Sequence, residues 1–260
     1  MRLFDSHAHI DDKSYEKDFT RMLTRAEENS VLGIMAVGIN IKTSRQAIQL
    51  ARQYDRIIAS VGIHPHDAEN CPDSAIEELV RLAENEPLVR AWGETGLDFN
   101  RMYAPVENQE MCLEKQLQAA QSLNLPMIFH ERDSKGRFLE ILGSAGQVER
   151  KAVVHCFSGT REEMYAYLDM GFFIGITGIL TIKKRGGLLR ELAVDIPEDR
   201  ILIETDAPYL TPAPQKNRHR RNEPAFVKSV LEKLAEIRNQ DRETLAERIW
   251  QNTENLFGKL

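Results

Sequence analysis

The sequence predicts an α/β protein of the (β/α)8 barrel type, with extra helices after the last strand. Three observations carry this reading. Short apolar, β-branched runs recur eight times along the chain. Each is followed by a segment whose apolar residues repeat at i, i+3 and i+4, the spacing of one helix face. The 260 residues match the roughly 250 of such a barrel. A doubly wound open sheet is the alternative, but it usually has fewer strands and a GxGxxG turn after the first one. The glycine stretches GETGLD and GITGIL do not match that turn.

In order, RLFDSH is followed by the helical YEKDFTRMLTRAEEN, LGIMAVG by KTSRQAIQLARQY, and RIIASVGIH by SAIEELVRLAENE. In the last of these, Ile76, Leu79, Val80, Leu82 and Ala83 form the apolar stripe. LVRAWGE leads to ENQEMCLEKQLQAAQSLN, PMIFH to SKGRFLEILGSA, and AVVHC to TREEMYAYLDMG. GFFIGIT precedes a weaker helix, GLLRELAVDI. RILIETD, the eighth run, enters a Pro-rich basic loop, TPAPQKNRHRRNEP, before the closing helices EPAFVKSVLEKLAEIRN and RETLAERIWQNTENLFG. With no linker, repeat or low-complexity tract, residues 1–260 are expected to form one domain.

Composition narrows the function classes. The net charge of −6 means that an anionic substrate needs a local basic patch or metal ions to offset the global sign. Three widely spaced cysteines, Cys71, Cys112 and Cys156, form no CxxC pair and suggest reduced thiols in a cytoplasmic setting. No apolar run approaches the ~18 residues of a membrane span, so a soluble protein is expected.

Active sites of such barrels occupy the C-terminal mouth, at the strand ends. Six of the eight predicted strands finish there with metal-ligand chemistry: His7 and His9, His64 and His66, Glu94, His130, His155, and Asp206. His7 and His9 stand two apart, on one face of an extended strand. A ring of imidazoles and carboxylates without a cation would leave desolvated charges unpaired. Glu94 has two oxygens and could bridge two cations. His7 and His9 would then lie on one side, His130 and His155 on the other, and Asp206 close to a bound water. Imidazole with carboxylate suits zinc, manganese, iron or a magnesium ion that keeps waters. Two such ions form the clamp used for in-line displacement at phosphorus.

The blocks DSHAHID, GIHPHD, GETGLDF, PMIFHERD, VVHCFSGT and ETDAPYLTP…RRNEP resemble, in order, the signature of the TatD family of metal-dependent deoxyribonucleases, on an amidohydrolase-like TIM barrel of the metal-dependent hydrolase type. The resemblance implies ligands to two divalent ions (Mg, Mn or Zn) at His7, His9, Glu94, His130, His155 and Asp206. It also implies a substrate or catalytic role for His64. Glu94 stands where related two-metal amidohydrolases often use a carboxylated Lys, which favours the nuclease branch.

The expected reaction is hydrolysis of phosphodiester bonds in DNA, exonucleolytic on single strands, with Asp206, Glu94 and His64 as the catalytic residues. Asp206 would orient or deprotonate a metal-bound water; His64 would donate to a phosphate oxygen or protonate the leaving group, or simply be a structural residue before Pro65. His66, Arg132, Arg220 and Arg221 are the candidate substrate-binding residues. Arg132 could instead pair with Asp98. Arg218, Arg220 and Arg221 are expected to overhang the mouth, with Lys183, Lys184 and Arg185 adding to its rim. Asp5 and Glu204, one layer deeper, are candidate supports for ligand histidines. Asn222 and Glu223 are expected to cap the helix near Pro224. Cys156 should face away from His155 into the core, Trp92 should fill the barrel interior, and Trp250 should pack the last helix.

A monomer acting on DNA through its phosphate backbone, away from membranes, is the expected form. A metal-dependent ester or amide hydrolase, such as an aminoacyl-tRNA deacylase, would use the same ions and water. A metal-dependent sugar isomerase predicts no hydrolysis.

Overall fold

The computed structural model describes residues 1–145, 151–213 and 215–260. Pro214, inside the basic loop, falls outside them. Eight strands are present among the described residues: β1 (Leu3–Ala8), β2 (Val31–Ala36), β3 (Ile57–Val61), β4 (Val89–Asp98), β5 (Met127–Arg132), β6 (Ala152–Val154), β7 (Phe173–Ile176) and β8 (Ile201–Ile203). They pair in parallel and in chain order. Parallel neighbours require crossovers, supplied by α1 (Phe19–Glu28), α2 (Ile41–Gln53), α3 (Asp73–Asn85), α4 (Val106–Leu123), α5 (Arg137–Ser144), α6 (Arg161–Asp169) and α7 (Gly187–Leu192). Two further helices, α8 (Val227–Arg238) and α9 (Arg242–Phe257), end the fold. The ring closes just past β8. Ala8 bridges to Ala207, the Asp206 N–H donates to the His7 carbonyl (3.0 Å), and the His9 N–H donates to the Ala207 carbonyl (2.8 Å).

Two apolar layers hold the ring. The outer one lies between strands and helices and contains Leu3, Ile34, Ile57, Trp92, Leu113 and Leu117. The inner one gathers Phe4, Met35, Ile58, Ala91, Ile128, Val153, Phe173 and Leu202. Trp250, Leu256 and Phe257 of α9 belong to that inner layer and floor the barrel, with the Trp250 ring edge-on to Phe4 at 5.8 Å. Trp92 corrects the sequence expectation. Its ring is in the outer layer and donates Nε1–H to Gln116 of α4, while Ala91 points inward. The register of β4 shifts between Trp92 and Thr95, so the count by twos from Glu94 back to Trp92 fails.

No helix among the described residues is long and apolar enough to cross a membrane.

Candidate metal centre

The polar strand ends meet at the mouth around Glu94, which is 2% exposed. Its Oε2 lies 3.3 Å from His7 Nε2 and 3.6 Å from His9 Nε2. Its Oε1 lies 2.9 Å from His130 Nδ1, 3.4 Å from His64 Nε2 and 3.6 Å from His155 Nε2. Asp206, in a left-handed conformation just after β8 (φ 56°), brings Oδ1 to 3.5 Å from His9 Nε2 and 3.9 Å from His7 Nε2. The two carboxylate oxygens of Glu94 thus face two separate groups of imidazoles, with Asp206 beside the first.

Behind these groups sits a set of buried carboxylates. Glu204 Oε1 lies 2.9 Å from His155 Nδ1 and accepts the Cys156 N–H at 2.6 Å, leaving His155 Nε2 turned to the centre. Its Oε2 accepts from Ser6 Oγ. Gly175 on β7 makes the room, since a Cβ there would lie 2.8 Å from both Glu204 oxygens. Asp98 Oδ2 lies 2.8 Å from His66 Nε2 and 3.3 Å from His130 Nε2, while its Oδ1 accepts the N–H groups of Asn100 and Arg101. Asp5 supports a ligand histidine through the main chain alone, its Oδ1 accepting the His7 N–H at 3.5 Å. Its carboxylate accepts the Thr205 N–H and hydroxyl, at 2.8 and 2.5 Å, and makes no bond to a histidine ring. It therefore positions the residue before Asp206, and β1 register shifts between Asp5 and Ala8 explain why it does not stack beneath His7.

Electrostatics follow from this crowding. Burial alone would raise the Glu94 carboxyl, but His64, His7, His155 and His130 together hold it well below the carboxylate range. Burial opposes charge on His9 and His130 as well. The bond to Asp206 and the field of Glu94 nevertheless raise His9 to about 9, and Asp98 with Glu94 raise His130 to about 9. Burial dominates at His64, pushed down to about 4, and at Asp5, pushed up to about 8. His64 Nδ1 accepts the His66 N–H at 3.0 Å. A neutral His64 therefore carries its hydrogen on Nε2, facing the centre.

These residues fit a divalent metal. His7 is fully buried, and its Nδ1 has no hydrogen-bond partner among the described residues. Its Nε2 faces His9 Nε2 at 3.3 Å, and its ring stacks on His155 at 3.5 Å. The carboxylates of Glu94, Asp206 and Asp98, which favour the charged forms of His9 and His130, present the charge that a cation would neutralise. His7, His9 and Glu94 form one group that could hold an ion, and His64, Glu94 and His130 another.

The mouth is a cavity of about 810 Å³ lined by His9, His64, His66, Glu94, His130, His155 and Asp206, with Arg132 at its wall. The pairing of Arg132 with Asp98 is not formed; Asp98 is taken by the two histidines. Arg221 turns away from the mouth. It binds Asp18 through both terminal nitrogens (2.7 and 2.8 Å), donates to the Ser14 carbonyl, and lies over the Tyr15 ring. Arg218 and Arg220 are exposed and line neither the mouth nor the cavity beside it. The same holds for Lys183 and Lys184, whereas Arg185 lines both.

Asn222 does not cap a helix. Its amide donates to the carbonyls of Thr205 and Tyr209, tying the loop to β8, and Glu223 takes the Arg25 guanidinium. Cys156 packs partly against the core, as expected, but it does not face away from His155. In a left-handed conformation (φ 48°), its Sγ comes within 4.8 Å of ligand atoms of His155 and Asp206. Sequence reading missed Asp98 as the anchor of two histidines, although Glu94 and Asp98 are four apart on one strand. It also missed Arg101, Tyr103 and Tyr209 at the rim, which carry no signal without the fold.

A parallel eight-stranded barrel with clustered imidazoles and carboxylates at its C-terminal mouth is the architecture of a metal-dependent TIM-barrel enzyme. The TatD related DNase family model matches residues 4–258, and the chain belongs to that family. It is 40% identical over 258 residues to the 3'-5' ssDNA/RNA exonuclease TatD of Escherichia coli K12, covering 98% of this chain and 99% of the relative. To the protein of the same name from Escherichia fergusonii it is 41% identical, with equal coverage. A crystal structure of a TatD homologue from Escherichia coli K12 superposes with a TM-score of 0.90 at 27% identity, over 100% of this chain and 99% of the other.

Proposed function

We propose that this chain is a metal-dependent nuclease that removes nucleotides from an end of single-stranded DNA, with two divalent ions at the mouth. The names of its relatives support the substrate class. The observation that carries the reading is Glu94, whose two oxygens face opposite groups of ring nitrogens. His7, His9, Glu94 and Asp206 would hold one ion; Glu94, His130 and His155 the other. Mg, Mn or Zn would each accept this donor set. When bound, the ions supply an acidified water and stabilise charge developing on phosphate oxygens.

The chain's own groups do the rest. Asp206, at the edge of the centre, accepts the proton of the attacking water. His64 donates its Nε2–H to a phosphate oxygen or to the departing oxygen. Glu204 holds His155 in the tautomer that points Nε2 inward. Asp98 orients His66 and His130. The guanidinium groups of Arg101, Arg132 and Arg185 line the mouth with no hydrogen bond or ion pair among the described residues, and contact phosphates. Arg220 contacts a longer strand outside. Tyr103 and Tyr209, 63% and 56% exposed at the rim, are stacking platforms for bases. All these residues come from one chain, so a monomer suffices. The three free cysteines suit a cytoplasmic setting.

Chelator-treated protein should fail to degrade single-stranded oligonucleotides, and added Mg or Mn should restore activity. Full degradation in excess chelator refutes the reading. Faster release from an aminoacyl ester than from the oligonucleotide would shift the assignment to an esterase.

A further inference from the structure

Next to the mouth lies a second cavity of about 470 Å³. Its size is within the ~300–1,000 Å³ of pockets that enclose small ligands. Arg132 and Arg185 belong to the walls of both spaces and form the threshold between them. Neither guanidinium has a hydrogen bond or ion pair among the described residues, so both are available to a phosphate.

Beyond that threshold the lining changes character. Phe157 and Leu188 supply apolar surface, and Leu188 is 49% exposed although it is a large aliphatic residue. Glu131, Asp133 and Glu163 line this cavity and not the mouth. Each carboxylate is held in place by a donor. Ser134 binds Glu131, Asn100 binds Asp133, and the Thr160 N–H binds Glu163. A carboxylate accepts about four hydrogen bonds, so each keeps acceptor capacity facing a ligand.

A strand running through this space would bring a further phosphate beside three carboxylates, with Lys135 as the one cation of the lining beyond the threshold among the described residues. A terminal nucleoside brings a base for the apolar wall, hydroxyl donors for the carboxylates, and no second phosphate. We infer that this cavity receives the terminal nucleoside of the strand, with its linking phosphate at Arg132 and Arg185, and that its carboxylates select ends carrying a hydroxyl over ends carrying a phosphate. The inference rests on the nuclease reading and extends it to the choice of chain end.

The test compares single-stranded oligothymidylates ending in a 3'-hydroxyl or a 3'-phosphate, with bis(4-nitrophenyl) phosphate as a diester that has no nucleoside to place. The hydroxyl end should be favoured at least tenfold in kcat/KM. Ser158→Trp puts bulk into the cavity from an exposed loop position. It should raise KM for the oligonucleotide at least tenfold while turnover of the small diester stays within twofold of the unaltered protein. The double variant Asp133→Asn, Glu163→Gln should narrow the preference for the hydroxyl end to threefold or less. Equal rates on the two ends, an unchanged KM in Ser158→Trp, or an undiminished preference in the double variant would each overturn the inference. If Ser158→Trp loses both activities through misfolding, the double variant decides. Failure of the unaltered protein to hydrolyse any of these diesters overturns the nuclease reading itself.

Discussion

At the mouth of the barrel, five imidazoles lie within 3.6 Å of the Glu94 carboxylate. At the floor, the starts of the same strands meet Trp250, Leu256 and Phe257 of α9. One end concentrates desolvated imidazoles and carboxylates; the other fills its space with rings and branched chains, with the Arg2 guanidinium stacked over Trp250 at 4.6 Å from outside. The contrast shows how one ring of strands separates two tasks. Apolar burial below, worth roughly 25 cal/mol per Å² removed from water, offsets an arrangement above that is unfavourable without counter-ions.

If the division is real, changes at the two ends should fail in different ways. Glu94→Gln removes the charge shared by both groups of imidazoles. It should lower kcat on single-stranded DNA by about 10³-fold or more, the several kcal/mol with which bound ions stabilise developing charge. Its thermal midpoint should stay near that of the unaltered protein, measured by circular dichroism. Trp250→Ala should do the reverse, with a loss of about 3–5 kcal/mol in denaturant unfolding and an unchanged kcat per folded molecule. A large kcat loss there would break the comparison.

Smaller effects sharpen it. Glu204→Gln keeps the shape behind His155 but weakens the acceptor of its Nδ1–H, so metal affinity by isothermal titration should fall about 10- to 100-fold. Asp18 tests a site at neither end. Hydrogen bonds and charge from Arg221 and Arg25 hold its carboxyl well below the carboxylate range, against a smaller effect of burial. A lowered folded-state value means stability that is present above the unfolded-state pKa of about 3.9 and lost as pH falls further. Asp18→Asn should therefore lower the unfolding free energy slightly and evenly from pH 5 to 8, by about 1 kcal/mol or less for a partly exposed pair, read as a small drop in thermal midpoint. The gap should begin to narrow below about pH 4 and close only as the pH approaches the strongly lowered folded-state value. A gap that widened in acid would reverse the sign.

The strands and the polar residues ending them were legible in the sequence because both follow from periodicity and from the barrel rule that gathers strand ends. What failed was parity. Counting by twos places Asp5 beneath His7 and Trp92 beneath Glu94, but β1 and β4 carry register shifts at those steps. Cys156 escaped because a single left-handed residue redirects its side chain. Arg221 was read as free because its partners, Asp18 and Ser14, lie some two hundred positions away. Charge on a loop is visible in sequence, whereas the contact that uses it up belongs to the tertiary fold. The paired role of Asp98 was within reach, since the spacing of four from Glu94 keeps one face.

The seam of the barrel has a further consequence. Main-chain bonds join His7 to Asp206 and His9 to Ala207, so chemistry and ring closure share the same few atoms. During synthesis, the first imidazole pair emerges about two hundred residues before its carboxylate partner. The arrangement of His7, His9 and Asp206 is therefore completed only when the last strand docks against the first.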